Sequence, residues 1–293
     1  MGHLIEPLKA GSDEWMRVMS ASKVAAVLGL SPYESRYSLW HRMKGLVPRQ
    51  ETTAEMARGH YLEPAIANWF ADQHPELAVL PGGCWAHDEI PWLTASPDRC
   101  LAGRNDPKPA AVLEIKADDS YGWGKAGTDD IPLHYRAQVQ VQMHIVGVTR
   151  AYVVNLGAYL RFAEYVIDYD PAEAEYVVDQ CAAFMDSLTD GPAPDLDAHG
   201  ATYEVVRKQH PDIDDEDVDL DPEIGAEYIA AYLNAKAADD RWQEATTRVA
   251  AALGNARKAR HAGQVIAYRK RNGNKTPYLC PAPAIKPPKE PAA

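Results

Sequence analysis

The chain has 293 residues, 46% hydrophobic and 25% charged, with a formal net charge of −12 at pH 7. That balance suits a globular fold and excludes a uniformly basic nucleic-acid coat. No stretch reaches the ~18 uninterrupted apolar residues of a membrane helix, and the opening MGHLIEPLKAGSDEW lacks a secretory apolar centre, so no membrane association and a cytoplasmic location are expected. Cys84, Cys100, Cys181 and Cys280 are scattered without a C-x-x-C pair, which favours buried free thiols over a zinc clamp or disulfides. The charge is unevenly spread. Residues 1–190 carry 16 Lys/Arg against 26 Asp/Glu, residues 191–240 carry 3 against 14, and residues 246–293 carry 10 against 1. Polyanion binding must therefore use local patches.

In chain order, MSASKVAAVLGLSPYESRYSLWHRMKG reads as helix, break, helix, with Ser20 or Ser22 as cap and Gly29 with Ser31-Pro32 as stop. TTAEMARGHYLEPAIANWFADQHP carries a helical apolar stripe, with a start or kink near Leu62 imposed by Pro64. CWAHDEIPWLTASPD, AAVLEIKA, RAYVVNLG and RFAEYVIDY are short β-prone runs. Between the second and third, PLHYRAQVQVQMHIVG is long for a strand and places Tyr135, Gln138 and Gln142 on one helical face, so it is read as helix. Asp170 and Pro171 open a further helix over YDPAEAEYVVDQCAAFMDSL. These elements make an α/β body over 1–190. Beyond it come an acidic linker over 191–221, a helical and β-hairpin extension over 222–280 turning at Asn272-Gly273, and a Pro-rich disordered tail over 281–293.

The chemistry-bearing stretch is AAVLEIKADDS. Side chains alternate along a strand, so Glu114 and Lys116 share a face and Ile115 points the other way. A surface charge pair at a strand end is the bland reading. Sixteen residues earlier stands Asp98 in LTASPDRC; Leu93 to Ser96 reads as a strand with Pro97-Asp98 at its end, joined to the next by the RCLAGRNDPKP turn. If the two strands pair, Asp98 meets Glu114, and two facing carboxylates need a cation between them. Such hard oxygen ligands, with the Ile115 carbonyl beside them, suit Mg²⁺, with Mn²⁺ as substitute. A water activated by that ion next to Lys116 is a plausible nucleophile for phosphodiester hydrolysis.

Pro97-Asp98 followed by Glu114-x-Lys116 resembles the PD-(D/E)xK nuclease signature, and three further stretches resemble the lambda exonuclease/YqaJ type of viral recombination nuclease. ARGHYLEPAIANWF resembles its G-x-x-x-E helix, YRAQVQVQM its Y-x-x-Q-x-Q helix and SASKVAAVLGLSPY its N-terminal segment, in order over roughly residues 13–190. The resemblance implies a restriction-endonuclease-like core, a central mixed sheet flanked by helices, with the C-terminal helical and hairpin extension appended. It implies Asp98 and Glu114 as metal ligands with Ile115, Lys116 as base, Glu63 as a further metal-site acid and Gln138 at the water or scissile phosphate. Ser22, with Arg17 as a weaker match, would hold the 5′ phosphate; Tyr135 and Gln140 would contact DNA, and Arg99, outside the family pattern, could contact a DNA phosphate or reflect a different turn. The implied activity is Mg²⁺-dependent 5′→3′ digestion of linear double-stranded DNA ends, leaving 3′ single strands for a single-strand annealing protein. A homo-oligomer, a trimer by resemblance, is implied too, acting in a host-cell cytoplasm if the chain is viral.

The chain departs from the pattern where Arg99 stands after Asp98 in place of the usual glycine, and where Arg17 lies closer to the serine than the family's arginine. Tyr121, Trp123 and Lys125 in the loop after Lys116 could wedge or stack on DNA, or be core aromatics and surface charge. Gln142 reads as a surface amide. The basic cluster Arg257, Lys258, Arg260, Arg269, Lys270, Arg271 and Lys275 could grip phosphates, the acidic bridge or another subunit. Three competing functions remain: an iron–sulfur nuclease of the Cas4 or AddB kind, a non-cleaving DNA-binding or annealing module on the same fold, and a site-specific endonuclease.

Overall fold

The computed structural model describes residues 1–48, 53–283 and 285–286, in two compact units, Met1–Ile213 and Asp214–Ala293. Most of the Pro-rich tail expected over 281–293 lies outside the described residues.

The first unit opens with β1 (Gly2–Ile5), α1 (Asp13–Met16), β2 (Met19–Ser20), α2 (Val24–Val27) and α3 (Arg36–Met43). It continues through α4 (Ala54–Gln73), β3 (Leu77–Pro81), β4 (Cys84–His87), β5 (Leu93–Ala95), β6 (Arg99–Gly103) and β7 (Asp106–Lys116). It closes with α5 (Leu133–Val146), β8 (Arg150–Gly157), β9 (Arg161–Asp168), α6 (Pro171–Asp190) and α7 (Gly200–Gln209). Two sheets form, β1-β4-β5-β2 and the five-stranded β3-β6-β7-β8-β9. Only β7 and β8 run parallel in the larger sheet. A parallel pair needs a long crossover, and the loop after Lys116 with α5 supplies it.

The alternation along β7 divides its side chains between two helices. Ala111, Leu113 and Ile115 pack with Ile66, Ala67 and Phe70 of α4. Val112 packs with Val139 and Met143 of α5, so Glu114 and Lys116, in phase with it, turn to the α5 face. The far side of α5 carries Ala137, Val141 and Ile145 into a second cluster with α2, α3, β5 and α6. A helix buried on both sides loses its amphipathic stripe, which is why VQVQ within it alternates like a strand.

Several elements differ from the sequence reading. Asp98 is not carried at the end of a Leu93–Ser96 strand that pairs with Glu114's strand. Leu93–Ala95 lies in the smaller sheet, and a separate strand, β6, begins directly after Asp98 and turns tightly into β7, Gly103 facing Asp106. The five residues of RCLAG assigned to the turn are strand because Cys100, Leu101 and Ala102 are buried. Helix α4 does not start at Leu62; Thr53 caps it and it runs on through Pro64, held by burial of Ile66, Ala67 and Phe70. Inside the stretch read as a linker, α7 packs on α3 and inserts Thr202 and Val205, so the first unit extends to Ile213. The strands β1, β2 and β3 have no counterpart in the expectation.

The second unit is the 32-residue helix α8 (Pro222–Leu253) followed by β10 (Lys258–His261), β11 (Gln264–Lys270) and β12 (Tyr278–Pro281). The hairpin expected at Asn272-Gly273 is present, and β10 extends it to an antiparallel sheet β10-β11-β12. Gly273 takes φ +57 in the turn, a conformation that favours glycine. Among the described residues, no helix is long and apolar enough to cross a membrane.

Candidate active site

The β6–β7 ladder ends at Arg99 opposite Leu113, which leaves Asp98 beside Glu114. The backbone N–H of Ile115, with no further ladder partner on that edge, donates to Asp98 Oδ2 at 2.6 Å. A residue's N–H and C=O leave a strand on the same edge, so the Ile115 carbonyl belongs to Asp98's side. Burial, and then the charge of Glu114, hold the Asp98 carboxyl well above the usual carboxylate range, against the opposing pull of Lys116 and the Ile115 N–H.

Glu114 is only 3% exposed, yet both its oxygens are bonded. Lys116 Nζ donates to Oε1 at 2.5 Å and Gln138 Nε2 to the same oxygen at 2.6 Å. Gln142 Nε2 donates to Oε2 at 2.8 Å. Gln138 and Gln142 are one helical turn apart on α5, so both reach a single carboxylate on the facing strand. Gln142, read as a surface amide, is therefore buried, and its signal was the i, i+4 amide pair opposite an acid. Gln138 Oε1 also accepts from Lys116 Nζ at 3.3 Å. The ammonium sits 4.7 Å from the Tyr135 ring centroid. Burial works against its charge, but Glu114 and Asp98 outweigh that and raise the Lys116 pKa, so the group is held protonated.

Where β7 ends, Asn155 of β8, opposite Lys116, accepts from the Asp118 N–H at 3.0 Å and donates to the Asp118 carbonyl at 2.9 Å. The Asp118 carboxylate accepts from the Ser120 hydroxyl, Trp123 Nε1 and Tyr135 OH. Burial alone would raise its pKa; the Ser120, Trp123 and Tyr135 bonds outweigh it and hold it low. The sequence reading missed this brace. Trp123, tilted against Tyr135 and Tyr165, is scaffold in the described structure, whereas Tyr121 is 88% exposed. Tyr33, from the SPY segment after α2, was also missed: its ring meets His134 edge-on, and it raises the pKa values of both Lys116 and Tyr135.

The remaining expected residues are placed less uniformly. Glu63 on α4 is paired with Arg99, Nη1 to Oε1 at 2.6 Å, and the same Nη1 donates to the Asp98 carbonyl at 2.5 Å. Arg99 thus ties Glu63 to the Asp98 backbone. Ser22 is exposed in a 3₁₀ turn that packs on α5 and β5, its hydroxyl 2.9 Å from that of Ser20. Arg17 is exposed at the end of α1. Gln140 is the correction: it is 0% exposed on the opposite side of α5 from Gln138, donating to the Asp168 carbonyl and accepting from the Asp170 N–H. It braces the β9–α6 turn, and no atom of it is left for DNA.

The buried Glu114 carboxylate, the half-buried Asp98 carboxyl and a strand carbonyl are the hard oxygen set that suits Mg²⁺ or Mn²⁺, and ionising Asp98 there adds a negative charge that Lys116 only partly offsets. Among the described residues, no three Asp, Glu, His or Cys side chains gather into a ligand cluster. This bears on the iron–sulfur reading: Cys84, Cys100 and Cys181 are separately buried, and burial pushes the thiols of Cys100 and Cys181 up to about 11 and about 12.

Residues 14–149 match the family model described as the YqaJ-like viral recombinase domain. The uncharacterized protein YqaJ of Bacillus subtilis (strain 168) is 26% identical over 206 residues, 68% of this chain. The match spans 63% of that relative's length, under two thirds. Among solved structures, the alkaline exonuclease LHK-Exo from Laribacter hongkongensis is similar with a TM-score of 0.47 and 23% identity, over 60% of this chain and 92% of that one. A phage-related exonuclease from Haemophilus somnus 129PT is similar with a TM-score of 0.46 and 14% identity, over 58% of this chain and 93% of that one.

Proposed function

We propose, from the family-model match over residues 14–149 and the likeness to YqaJ, that this chain is a Mg²⁺-dependent exonuclease of linear double-stranded DNA of the YqaJ/lambda-exonuclease-like PD-(D/E)xK kind. The observation that carries the reading is the convergence of Asp98 and Lys116 on the buried Glu114 at the end of β7. The proposed direction is 5′→3′, with the 3′ strand passed to an annealing protein and with homo-oligomeric, trimeric action; these finer points rest on the family resemblance.

Asp98 and Glu114, with the Ile115 carbonyl, are the groups that would hold the ion. Mg²⁺ in such a site polarises a phosphate oxygen and lowers the pKa of a water. The protein's own groups do the rest. Gln142 and Gln138 fix the Glu114 carboxylate so that its oxygens do not rotate away, and Gln138 also orients Lys116. Lys116 positions the attacking water and takes its proton once the neighbouring negative charge is neutralised, because that charge is what keeps its pKa raised. Glu63, whose charge already reaches Asp98, is held at one oxygen by Arg99, and release of that pair would free Arg99 Nη1 to meet a phosphate. Ser22 and Arg17 are assigned to the 5′ phosphate.

The test is digestion of linear duplex DNA with a 5′ phosphate and strand-specific end labels, in Mg²⁺, in EDTA and with Lys116→Ala. Mg²⁺-dependent loss of the 5′-ended strand, reduced at least ~100-fold in the variant, is the expected result. Intact DNA under every divalent ion tried, with DNA binding retained, would transfer the reading to a non-cleaving module. Cleavage of covalently closed circles would point to an endonuclease.

A further inference from the structure

The second unit carries an unassigned constellation. From Gly254 to Lys286 the sequence has Arg257, Lys258, Arg260, Arg269, Lys270, Arg271, Lys275 and Lys286 and no acidic residue, within a chain of net charge −12. The strand registers sort this charge onto faces. In antiparallel strands, directly opposed residues share a face and so do residues two apart. Lys258 opposes Tyr268, Tyr268 opposes Cys280, and Lys270 opposes Tyr278. Lys258, Tyr268, Lys270 and Tyr278 therefore stand on one face of β10-β11-β12. The opposite face is marked by Ala267, which is buried. Tyr278 is 52% exposed, and Lys258 Nζ lies 5.9 Å from the Tyr268 ring centroid. A shallow cavity of about 510 Å³ runs over this face, lined by both tyrosines with Arg257, Lys270 and Arg271 among others.

We propose that this sheet face is a binding site for single-stranded nucleic acid, separate from the Asp98–Glu114–Lys116 centre. The exposed Tyr278 ring and, diagonal to it, the half-buried Tyr268 ring beside Lys258 offer stacking surfaces that any base can use, and the lysines and arginines around them meet the intervening phosphates. A duplex keeps its bases stacked on each other, so it uses the charges and leaves the rings idle. Apart from Glu290, the acidic residues of this unit lie earlier, between Asp214 and Glu244. The site requires no cleavage and stands or falls independently of the nuclease reading.

The experiment uses the full chain in EDTA, where hydrolysis by a Mg²⁺ enzyme is suspended. Binding to a fluorescent dT30 oligonucleotide and to a 30-bp duplex is followed by anisotropy from 50 to 300 mM NaCl. Lys258→Gln/Lys270→Gln/Arg271→Gln is expected to weaken dT30 binding at least ~10-fold and to reduce the slope of log K against log salt by about 2, as loss of three phosphate contacts on a single strand requires. Tyr268→Leu/Tyr278→Leu, which keeps apolar bulk in the sheet, is expected to weaken dT30 binding ~5- to 30-fold and to change duplex binding less than twofold. Circular dichroism of both variants checks the fold, and end-labelled digestion in Mg²⁺ reports the first unit separately. Unchanged dT30 affinity and salt slope in the charge variant would overturn the site. Equal losses on dT30 and duplex in the tyrosine variant would overturn the single-strand assignment.

Discussion

Asp98 and Glu114 bring two carboxyl groups together beside the Lys116 ammonium, which is already bonded to one of them. Asp98's folded pKa lies above its unfolded value, so the native state binds more protons and this residue costs stability as pH rises through that interval. Asp98→Asn keeps an acceptor for the Ile115 N–H and removes the charge. In EDTA at neutral pH it should raise unfolding stability by about 1–2 kcal/mol, while abolishing any rise in Tm that Mg²⁺ produces in the parent. Thermal unfolding of both proteins with and without Mg²⁺ checks this, and a variant less stable than the parent in EDTA would contradict it. At this scale the sequence was informative about Asp98, Glu114, Lys116 and Gln138, because each belongs to a short motif. Gln142 and Asp118 match no motif position and Tyr33 only closes the SASKVAAVLGLSPY stretch; their roles come from what the strand and helix bring opposite them. Gln140 shares its motif with Gln138, but a two-residue step on a helix turns it to the other side.

Helix α4 shows how element boundaries escape local rules. Pro64 deletes one backbone donor within it, yet burial of Ile66, Ala67 and Phe70 carries the helix across the gap. The proline is exposed and contributes no packing. Pro64→Ala should restore the bond to the His60 carbonyl and stabilise the chain by about 1–3 kcal/mol, read from urea unfolding. A loss of stability would mean that the proline sets the course of the helix that carries Glu63. The short strands behaved differently from α4. β1, β2 and β3 have two to five residues each, too few for alternation to register, and they exist because a neighbouring strand offers its edge.

Among the described residues of the first unit, Lys23 is a buried basic side chain outside the candidate site. Lys23 is 2% exposed, donates to the carbonyls of Trp15 at 2.5 Å and Val18 at 2.6 Å, and stands 3.7 Å from the Trp15 ring centroid. Burial, aided by the Arg42 charge and only partly opposed by Glu34, pushes its pKa down to about 7 from 10.5. Between those values the unfolded chain binds the extra proton, so Lys23 makes stability rise with pH from about 7 toward 10.5 and costs most below 7. Lys23→Met should flatten that rise and stabilise the protein by a few kcal/mol at pH 6, in denaturant titrations at pH 6, 8 and 9.5. A variant with the parent's pH dependence would remove Lys23 as its source.

What the sequence by itself determined about this protein is the α/β class, the order of its long helices, the C-terminal hairpin and the trio Asp98, Glu114 and Lys116. Those features are written in signals a few residues long: a cap, a Gly turn, an alternating run, an acid and a base two positions apart. The tertiary structure alone decided that Asp98 leads into β6 rather than ending β5, and that α7 completes the first unit. It alone decided that Glu114 is held by two glutamines one turn apart, and that Lys258, Tyr268, Lys270 and Tyr278 share a sheet face. Each of these depends on strand register and on which faces meet, and both are set by packing between residues distant in the chain.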